Sequence, residues 1–569
     1  MAEKMKGAKI LIEALKKEGV DTVFGYPGGV LLEIYDEIYK QKDIKHYLVR
    51  HEQGAAHAAD AYARSTGKVG VCIATSGPGA TNLVTGIATA HMDSIPMVCF
   101  TGQVSTPLIG KDSFQEADIT GITMPITKHN FLVKDVKDLA RVIKEAFYIA
   151  RTGRPGPVLV DLPKDVTLHE GPFDYDKEVD IPSYKPTYKG NPKQVKSAVK
   201  MIKEAKSPVI IIGGGVILSN AAKEINELLS ITQFPTTSTL MGLGAVPSSN
   251  KLCLGMSGMH GTAYANYALS HCDLLIAIGM RFDDRVTGKL AEFATKGKVI
   301  HIDIDPAEIN KTVKVMLPII GDVKEVVGAL NKELEKTKLP SIKAWDEKVL
   351  DWKKSHSMDY KKKDGVIKPQ EVIETINKLT KGDAIYTTEV GENQMWAAQY
   401  LDLKKPRTFL TSGGLGTMGY GLPAAIGAQA GNPDKLVIDI AGDGSIQMNI
   451  QELGTAKTYN FPVKVVILNN YYLGMVRQWQ DLFYEHRLSE TDLIDKQPDF
   501  LKIAEAYGIY GVRIEDPKEL EKELKKAFDH KGPAFIDIKI HRKENVFPMV
   551  PAGGAIHNML FAKDYDGYD

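Results

Sequence analysis

The sequence is poor in cysteine and carries no net charge. Lys plus Arg and Asp plus Glu both total 71, so the charge balance does not call for nucleic acid or an anionic membrane as a partner. None of the cysteines belongs to a C-x-x-C pair, which argues against disulfides and zinc and favours buried thiols in a reducing compartment. The cysteines are Cys72, Cys99, Cys253 and Cys272.

Long apolar segments are missing as well. No stretch approaches the ~20 continuous apolar residues of a membrane span. Charges interrupt the N-terminal segment, which is therefore not expected to be a signal peptide. That segment instead predicts an amphipathic helix with Ile10, Leu11, Ala14 and Leu15 on one face and Gly19 at its end. These absences together favour a cytoplasmic enzyme.

What the chain does contain is a series of short apolar runs separated by helical patterns. Runs so uniformly apolar are typical of central strands in parallel sheets, which helices bury on both faces. The predicted fold class is therefore α/β. The runs are Val69–Ala74, Val158–Leu162, Val209–Ile212, Leu274–Ile278, Val299–Ile304, Leu436–Ile440, Val463–Leu468 and Phe535–Ile540.

Two stretches interrupt this rhythm and divide the chain. Tyr175–Pro192 is rich in Pro, Tyr, Lys and Asp, and Glu335–Lys368 is strongly charged; both are predicted to be linkers or surface excursions. At roughly 100–200 residues per domain, the length fits about three domains. The expected domains are 1–165, 190–335 and 365–545, followed by a tail, 546–569, that is either frayed or folded over another part of the chain.

The strongest chemical signal lies in the third domain. The run Leu436–Ile440 is followed by Asp443 between two glycines, and the next apolar run is followed by Asn470. Residues just beyond the carboxyl ends of strands face the ligand crevice of an open parallel sheet. A carboxylate and an amide oxygen there suit Mg²⁺, while Gly442 and Gly444 let backbone N–H groups approach phosphate oxygens. The alternative is a plain strand-to-helix turn near an unrelated Asn turn.

This pairing resembles the thiamine diphosphate motif, and that cofactor needs two further groups. It needs a carboxylate against its pyrimidine N1′, for which Glu52 is the candidate. It also needs an apolar prop beneath its bent conformation, for which Met418 has an adaptable side chain. Taken alone, Glu52 is better explained as a solvated residue that opens a helix. Beside the diphosphate motif, the functional interpretation is favoured for both residues.

Eight motifs occur in order along nearly the whole chain. Together they resemble the catalytic large subunit of acetohydroxyacid synthase, a thiamine-diphosphate-dependent enzyme. The resemblance implies a thiamine-diphosphate-binding fold with an N-terminal pyrimidine-binding domain, a central FAD-binding domain and a C-terminal diphosphate-binding domain. Each domain would have a mainly parallel sheet flanked by helices. The motifs are FGYPGG (Phe24–Gly29), RHEQGA (Arg50–Ala55), SGPGATN (Ser76–Asn82), FQEAD (Phe114–Asp118), GRPGPVLVDLPKD (Gly153–Asp165), RFDDRVTG (Arg281–Gly288), GGLGTMGYGLPAAIGA (Gly413–Ala428) and NNYYLGMVRQWQ (Asn469–Gln480).

The resemblance also implies roles for individual residues. Mg²⁺ would be bound by Asp443, Asn470 and the backbone carbonyl of Tyr472, and Trp479 would select the acceptor substrate. The catalytic centre would include Glu52, Gly29, Gln115 and Lys164. Other contacts to thiamine diphosphate would come from Val390, Gly391, Glu392, Asn393, Gly416, Met418, Gly444, Ser445, Leu473, Gly474 and Met475. The flavin would be bound by Arg154, His260, Arg281, Asp303 and Asp322.

The central domain distinguishes between relatives. Arg281 suits a flavin diphosphate or ring oxygen, and the carboxylates of Asp303 and Asp322 suit ribityl and ribose hydroxyls. Taken alone, the string Arg281–Arg285 is more often a salt-bridged surface turn. Catabolic acetolactate synthases generally lack this string, so its presence favours the biosynthetic enzyme.

The segment Gly391–Asn393 departs from the family pattern. Glu392 and Asn393 stand where relatives often have Gln and His. Asn393 can still donate to a diphosphate oxygen, whereas Glu392 would repel the diphosphate if its side chain pointed inward. The contact of Glu392 with the cofactor is therefore left open by the sequence.

The implied reaction decarboxylates pyruvate on thiamine diphosphate and condenses the resulting enamine with a second pyruvate or with 2-oxobutanoate, as the first step toward valine, leucine and isoleucine. FAD would be structural. The active site would lie at the interface of a homodimer or homotetramer, with Glu52 of one subunit facing Asp443 and Asn470 of the other. A small regulatory subunit is an expected partner. The alternatives are a flavin-linked pyruvate oxidase, a keto-acid decarboxylase and a binding protein with decayed motifs.

Overall fold

A computed structural model describes residues 3–564 and contains three six-stranded parallel sheets, each flanked by helices. All eight apolar runs form strands of these sheets, with ends within two residues of those expected. The α/β class and the parallel sheets are therefore confirmed. None of the helices in this described part of the chain is long and apolar enough to cross a membrane.

The N-terminal domain holds the first sheet, in the strand order β3-β2-β4-β5-β7-β6, and a separate antiparallel pair, β1 with β8. Its first helix buries Ile10, Leu11, Ala14 and Leu15 completely, as the amphipathic pattern predicts. The strands are β1 (Glu3–Lys6), β2 (Thr22–Gly25), β3 (Lys45–Leu48), β4 (Gly70–Ala74), β5 (Met97–Gln103), β6 (His129–Leu132), β7 (Pro157–Pro163) and β8 (Glu170–Phe173). The helices are α1 (Gly7–Lys17), α2 (Leu32–Lys40), α3 (Glu52–Thr66), α4 (Pro78–Thr81), α5 (Val84–Met92), α6 (Ile119–Thr123), α7 (Val136–Arg151) and α8 (Lys164–Leu168).

Residues 174–191 contain no helix or strand and lead to the central domain, as expected for a linker. The central sheet has the order β11-β10-β9-β12-β13-β14. Its strands are β9 (Pro208–Ile212), β10 (Thr236–Ser238), β11 (Cys253–Met256), β12 (Leu274–Ile278), β13 (Lys298–Asp303) and β14 (Leu317–Ile320). The helices are α9 (Pro192–Glu204), α10 (Gly214–Leu218), α11 (Ala222–Thr232), α12 (Ala263–His271), α13 (Asp284–Thr287), α14 (Val323–Leu334) and α15 (Lys343–Ser355).

Helix α15 lies within Glu335–Lys368, and the expectation that this whole stretch is a linker or surface excursion was wrong. Trp345 is buried in the central core and donates its indole N–H to the carbonyl oxygen of Pro208 (3.0 Å). Val349 is buried one turn further on. The many charged residues of this helix occupy the outer face, and they obscured a narrow apolar stripe.

The C-terminal sheet has the order β16-β15-β17-β18-β20-β19. Its central strands are buried, with helices on both faces, as their apolar sequences predict. The strands are β15 (Ile385–Thr388), β16 (Phe409–Leu410), β17 (Val437–Gly442), β18 (Lys464–Asn469), β19 (Tyr510–Ile514) and β20 (Ala534–Lys539). The helices are α16 (Pro369–Thr380), α17 (Glu392–Tyr400), α18 (Gly421–Gly431), α19 (Leu453–Thr458), α20 (Gly474–Phe483), α21 (Phe500–Ala506) and α22 (Leu520–Asp529).

The tail folds back over the other domains. Val546 and Met549 are buried, and the backbone N–H of Val550 donates to the carbonyl oxygen of Met259 (2.8 Å) in the central domain. Ile556 joins the central apolar core. The described part of the tail is therefore folded over the protein and not frayed; residues 565–569 lie outside the described residues.

The first and third domains pack through α3 and α18. A Cβ atom at Gly427 of α18 would collide with the carbonyl oxygen of Ala58 in α3, so glycine permits the close approach of the two helices. Beside this contact, Arg64 donates to Asp60 (2.5 Å) and Asp93 (2.9 Å) in a buried cluster. The contact between the two domains thus combines close helix packing with a buried network of paired charges.

Candidate active site

Asp443 and Asn470 meet at one small cavity on the carboxyl edge of the C-terminal sheet. Strands β17 and β18 are parallel neighbours with Gly442 opposite Leu468, so the residues that follow them lie side by side. Both residues line a cavity of about 70 Å³. The structure thus brings this pair together at the strand ends, where the sequence pattern predicts a ligand crevice.

The chemistry of this pair fits a divalent cation. Asp443 is 1% exposed, and within the described residues its Oδ2 atom has no hydrogen-bond partner. Burial raises the pKa of Asp443 to about 8. Asn470 accepts at Oδ1 from the backbone N–H of Tyr472 (3.0 Å), which lines the same cavity. A cation would compensate the unpaired carboxylate oxygen, and oxygen donors of this kind suit Mg²⁺.

A cation at this cavity would depend on few acidic side chains. Residues 3–564 contain no group of three or more His, Cys, Asp or Glu side chains able to hold a metal ion. The wall offers the carboxylate of Asp443 and the amide oxygen of Asn470, besides the side chains of Glu392 and Ser445. Such a set leaves room for phosphate oxygens, which Mg²⁺ commonly takes as ligands.

Most residues assigned to thiamine diphosphate surround the same cavity. The turns that follow β15 and β18, and the glycine-rich segment that precedes α18, contribute to its wall. Gly416 lines a larger neighbouring cavity instead, and Met418 and Met475 line both. The assigned residues on the wall of the small cavity are Val390, Gly391, Glu392, Asn393, Met418, Asp443, Gly444, Ser445, Asn470, Tyr472, Leu473, Gly474 and Met475.

The first turn of α17 carries the two departures from the family pattern. Asn393 donates its side-chain N–H groups to the carbonyl oxygens of Glu389 (3.0 Å) and Ile440 (2.8 Å). This conformation leaves no amide hydrogen of Asn393 for a diphosphate oxygen, in contrast to the sequence-based expectation. Glu392 is 3% exposed, and burial raises its pKa to about 7 against the opposing effect of Arg477.

Glu52 lies at the carboxyl edge of the N-terminal sheet. It opens α3, which is capped by His51 accepting at Nδ1 from the backbone N–H of Gln53 (3.2 Å). Its side chain is 9% exposed and accepts from Asn82 Nδ2 (2.9 Å). The α3 helix dipole favours a negative charge at this end. Glu52 is therefore a buried, oriented carboxylate and not the solvated helix opener of the alternative interpretation.

The other catalytic candidates lie beyond strands of the same sheet. Gly29 follows β2 and Lys164 follows β7, at the first residue of α8. Gln115 has a left-handed backbone (φ = 58°) in the loop after β5. A Cβ atom at Gly77, beyond β4, would lie 3.0 Å from the Cα of Gln115, so these two loops are in contact. The strand ends thus collect these residues at one edge.

The two edges share neither of the cavities described. Glu52, Gly29, Gln115 and Lys164 do not line the small cavity of Asp443, nor the larger one beside it. The two halves of the predicted site therefore occupy separate places in the chain. The sequence-based expectation that they face each other concerns two copies of the protein.

The larger cavity has a volume of about 680 Å³, within the usual size range of cofactor sites. His260 on its wall is 8% exposed, its Nδ1 atom has no partner within the described residues, and burial lowers its pKa to about 4. A ligand with hydrogen-bond donors would satisfy this neutral imidazole. All five residues assigned to the flavin line the cavity: Arg154, His260, Arg281, Asp303 and Asp322.

Some of those side chains already have protein partners. Arg154 pairs with Asp305 (3.1 Å) and Glu308 (2.7 Å), so it links the first domain to the central one. Asp322 caps α14, because its Oδ1 atom accepts from the backbone N–H groups of Lys324 and Glu325. These contacts give both residues structural roles that the sequence alone did not reveal.

Trp479 lies on α20 and lines the larger cavity together with Met475 and Val476. Its ring packs against Phe483 with centroids 5.3 Å apart, and the side chain is only half-buried. It is therefore part of a cavity wall and not a core tryptophan.

Two buried carboxylates near the site were not found from the sequence. Glu389 accepts from Ser445 Oγ (2.7 Å) and from the backbone N–H of Gly419 (2.7 Å), so it ties two cofactor-lining segments together. Glu452 accepts at Oε1 from the backbone N–H groups of Arg50 and His51 (3.0 Å each). Neither residue stands in an apolar run of the sequence, so no local signal reveals its burial.

Comparison with known proteins agrees with this geometry. Family models of the thiamine pyrophosphate enzymes match residues 5–122 (N-terminal TPP binding domain), 195–330 (central domain) and 389–538 (C-terminal TPP binding domain). An acetolactate synthase large subunit of Porphyra purpurea is 50% identical over 97% of this chain and 95% of its own length. The Haemophilus influenzae protein of the same name is 48% identical over 99% of both chains.

A third relative, the acetolactate synthase large subunit of Corynebacterium glutamicum, is 50% identical over 98% of this chain and 91% of its own length. Identity of this degree covers all three domains, including both strand-end clusters and the residues that line the two cavities. The chain therefore belongs to the acetolactate synthase large subunits, within the family of thiamine pyrophosphate enzymes.

Proposed function

We propose that this protein decarboxylates pyruvate and joins the remaining two-carbon unit to a second pyruvate or to 2-oxobutanoate. The products are 2-acetolactate and 2-aceto-2-hydroxybutyrate, at the first step of valine, leucine and isoleucine biosynthesis. The observation that carries the proposal is the unpaired Oδ2 atom of Asp443 beside Asn470, in a chain 50% identical to an acetolactate synthase large subunit. A binding protein with decayed motifs would have no reason to retain this buried, unpaired carboxyl group.

Thiamine diphosphate would be held in the C-terminal domain through Mg²⁺. Asp443 and Asn470 would supply side-chain oxygens and Tyr472 its backbone carbonyl, while Gly444 allows close approach to the diphosphate. The bound cofactor accepts the electrons that decarboxylation releases. Met418, on the wall of both cavities, would support the bent conformation of the cofactor from below.

Glu52 exchanges a proton with the pyrimidine N1′ in this proposal. Asn82 donates to one of its oxygens, and glycine at position 79 leaves room for the other, from which an added Cβ atom would lie 3.2 Å away. Gly29, Gln115 and Lys164 supply the neighbouring wall of the reacting centre. These roles follow from the family's motifs and from the common sheet edge.

A second copy of the chain completes the site. The Glu52 edge and the Asp443 edge are separate in one chain, so a symmetric dimer would form two sites from two pairs of edges. Large apolar side chains are exposed near both edges, and exposed apolar patches often mark interfaces. Near the first edge they are Leu32 (63%), Phe114 (88%) and Met124 (67%), and near the second they are Met448 (55%) and Val476 (51%).

The cavity of about 680 Å³ would hold FAD in the central domain, and its walls include His260, Arg281 and Asp303. Because the overall reaction neither gains nor loses electrons, FAD has a structural role. The relatives are named large subunits, which supports a small regulatory subunit as a partner of this chain as well. A cytoplasmic location accords with a biosynthetic role and with free thiols, of which those of Cys72, Cys99 and Cys272 are buried.

Product analysis tests the proposal. The purified protein is incubated with pyruvate in the presence and absence of thiamine diphosphate, Mg²⁺ and FAD. Acetolactate that accumulates without bleaching of the flavin supports the proposal. Bleaching of the flavin by pyruvate at the rate of turnover, without air, would identify an oxidase. Acetaldehyde as the main product would identify a simple decarboxylase.

A further inference from the structure

A buried ion pair stands directly behind Asn470. Glu392 Oε2 accepts from Asn470 Nδ2 (3.1 Å), and its other oxygen, Oε1, lies 3.4 Å from Arg477 Nη2. The side chains of Glu392 and Arg477 are 2% and 3% exposed. We propose that this ion pair is a positioning device, and this proposal rests on the cation site of the proposed function. The pair fixes the orientation of Asn470, and Glu392 is not itself a contact to the diphosphate.

The chemistry of the amide explains how the orientation is fixed. A carboxylate only accepts hydrogen bonds, so the Asn470 amide must turn its NH₂ toward Glu392. Oδ1 then points the opposite way, where it already accepts from the backbone N–H of Tyr472 and keeps a second lone pair. Without the carboxylate, the amide could rotate by half a turn and offer NH₂ to the cation, which would repel it.

The charge of Glu392 is balanced where it stands. Arg477 is held by the carbonyl oxygen of Glu544 (2.7 Å), and its guanidinium supplies the positive charge opposite Glu392. Gly474 makes the contact with Asn470 feasible, because a Cβ atom there would collide with Glu392 Oε2. The carboxylate is thus directed to Asn470 and Arg477, which resolves the repulsion expected of an inward-pointing Glu392.

Other groups near the pair do not take this role. Asp481 lies 3.6 Å from Arg477 and is 23% exposed, but it makes no hydrogen bond to Asn470 among the described residues. It therefore offers a matched control, since Asp481→Asn removes a carboxylate beside Arg477 and leaves the contact between Glu392 and Asn470 intact. If the two carboxylates served only to hold the Arg477 side chain, Asp481→Asn and a substitution of Glu392 would have similar effects.

Mn²⁺ binding, measured by electron paramagnetic resonance in the presence of thiamine diphosphate and without substrate, tests the proposal independently of turnover. Loss of a side chain that orients a metal ligand typically costs about 10–100-fold in metal affinity. Glu392→Ala is expected to lower the affinity for Mn²⁺ by that factor. Glu392→Gln keeps an acceptor oxygen and is expected to retain most of the affinity. Asp481→Asn is expected to match the wild type. Glu392→Ala protein with bound FAD and wild-type Mn²⁺ affinity would overturn the proposal.

A paired exchange covers the case in which Glu392→Ala does not fold. Asn470→Asp alone sets two carboxylates against each other, whereas Glu392→Gln with Asn470→Asp restores one carboxylate–amide contact with the roles exchanged. The double variant is expected to bind Mn²⁺ more tightly than Asn470→Asp alone. Strictly additive effects would refute direct coupling. Wild-type protein that binds no Mn²⁺, or makes no acetolactate, would instead refute the cation site or the proposed reaction.

Discussion

The carboxyl group of Glu452 gives a pH dependence whose sign and size follow from the structure. Burial raises its pKa from 4.5 to about 7, against the hydrogen bonds that it accepts from Thr455 and from the backbone of Arg50 and His51. The folded protein therefore holds this proton more tightly than the unfolded chain does. The resulting stability is fully present below pH 4.5 and is lost as pH rises through about 7.

The difference corresponds to about 3 kcal/mol, at about 1.4 kcal/mol per pKa unit. Glu452→Gln removes the titration and keeps the contacts, because the amide oxygen can accept from Arg50 and His51 and its NH₂ can donate to Thr455. We expect the variant to be more stable than the wild type at pH 8 by up to about 3 kcal/mol. The advantage should fade toward pH 4.5.

Thermal unfolding of both proteins at several pH values between 4.5 and 8 measures this advantage. The exposed Glu347 of α15 provides a control, since Glu347→Gln should change the midpoint equally at every pH. Because Glu452 holds the backbone just before Glu52, the conservative variant should also keep its activity. A difference between Glu452→Gln and wild type that is constant with pH, or that shrinks toward pH 8, would refute the reasoning.

Three further predictions concern the site itself. Glu52→Gln should retain thiamine diphosphate but lose about 10²–10⁴-fold in turnover, and a variant within a few-fold of wild type would remove Glu52 from proton exchange. Asp443→Ala should weaken the binding of thiamine diphosphate and of Mg²⁺ together while FAD stays bound. Loss of FAD alone would contradict the assignment of cofactors to domains. The wild type should prefer 2-oxobutanoate over pyruvate as acceptor by about 10- to 200-fold, from roughly 1–3 kcal/mol for one methylene. Trp479→Leu should lose most of that preference, which the ratio of acetohydroxybutyrate to acetolactate in a mixture of both acids measures.

Features that depend on short-range pattern were predictable from the sequence. Apolar runs marked the central strands, and the rule that ligands bind beyond strand ends placed Asp443 beside Asn470. The helix α15 was missed because its charged residues outnumber the apolar stripe that contains Trp345. The hydrogen bonds of Asn393 were also missed, since they depend on carbonyl oxygens of two different strand ends.

Contacts between distant parts of the chain carry no local signal. Glu452 binds the backbone of Arg50 and His51, and neither segment contains a pattern that predicts the other as its partner. Arg154 shows the same limit, because its partners Asp305 and Glu308 belong to another domain. Such pairs are set by how the domains pack, which depends on the whole chain and not on any one segment.

The packing of α3 against α18 has a consequence for both halves of the site. Helix α3 begins at Glu52, and α18 follows shortly after Met418, so one helix pair connects the proposed proton-exchanging group with the proposed support of the cofactor. Asp93 holds the segment that precedes Met418 by accepting from the backbone N–H groups of Gly413 (3.1 Å) and Gly414 (2.7 Å). If two copies share their sites, Glu52 of a chain serves one site and Met418 of the same chain serves the other. The helix pair then fixes the spacing between the two sites, and a change in its packing disturbs both together.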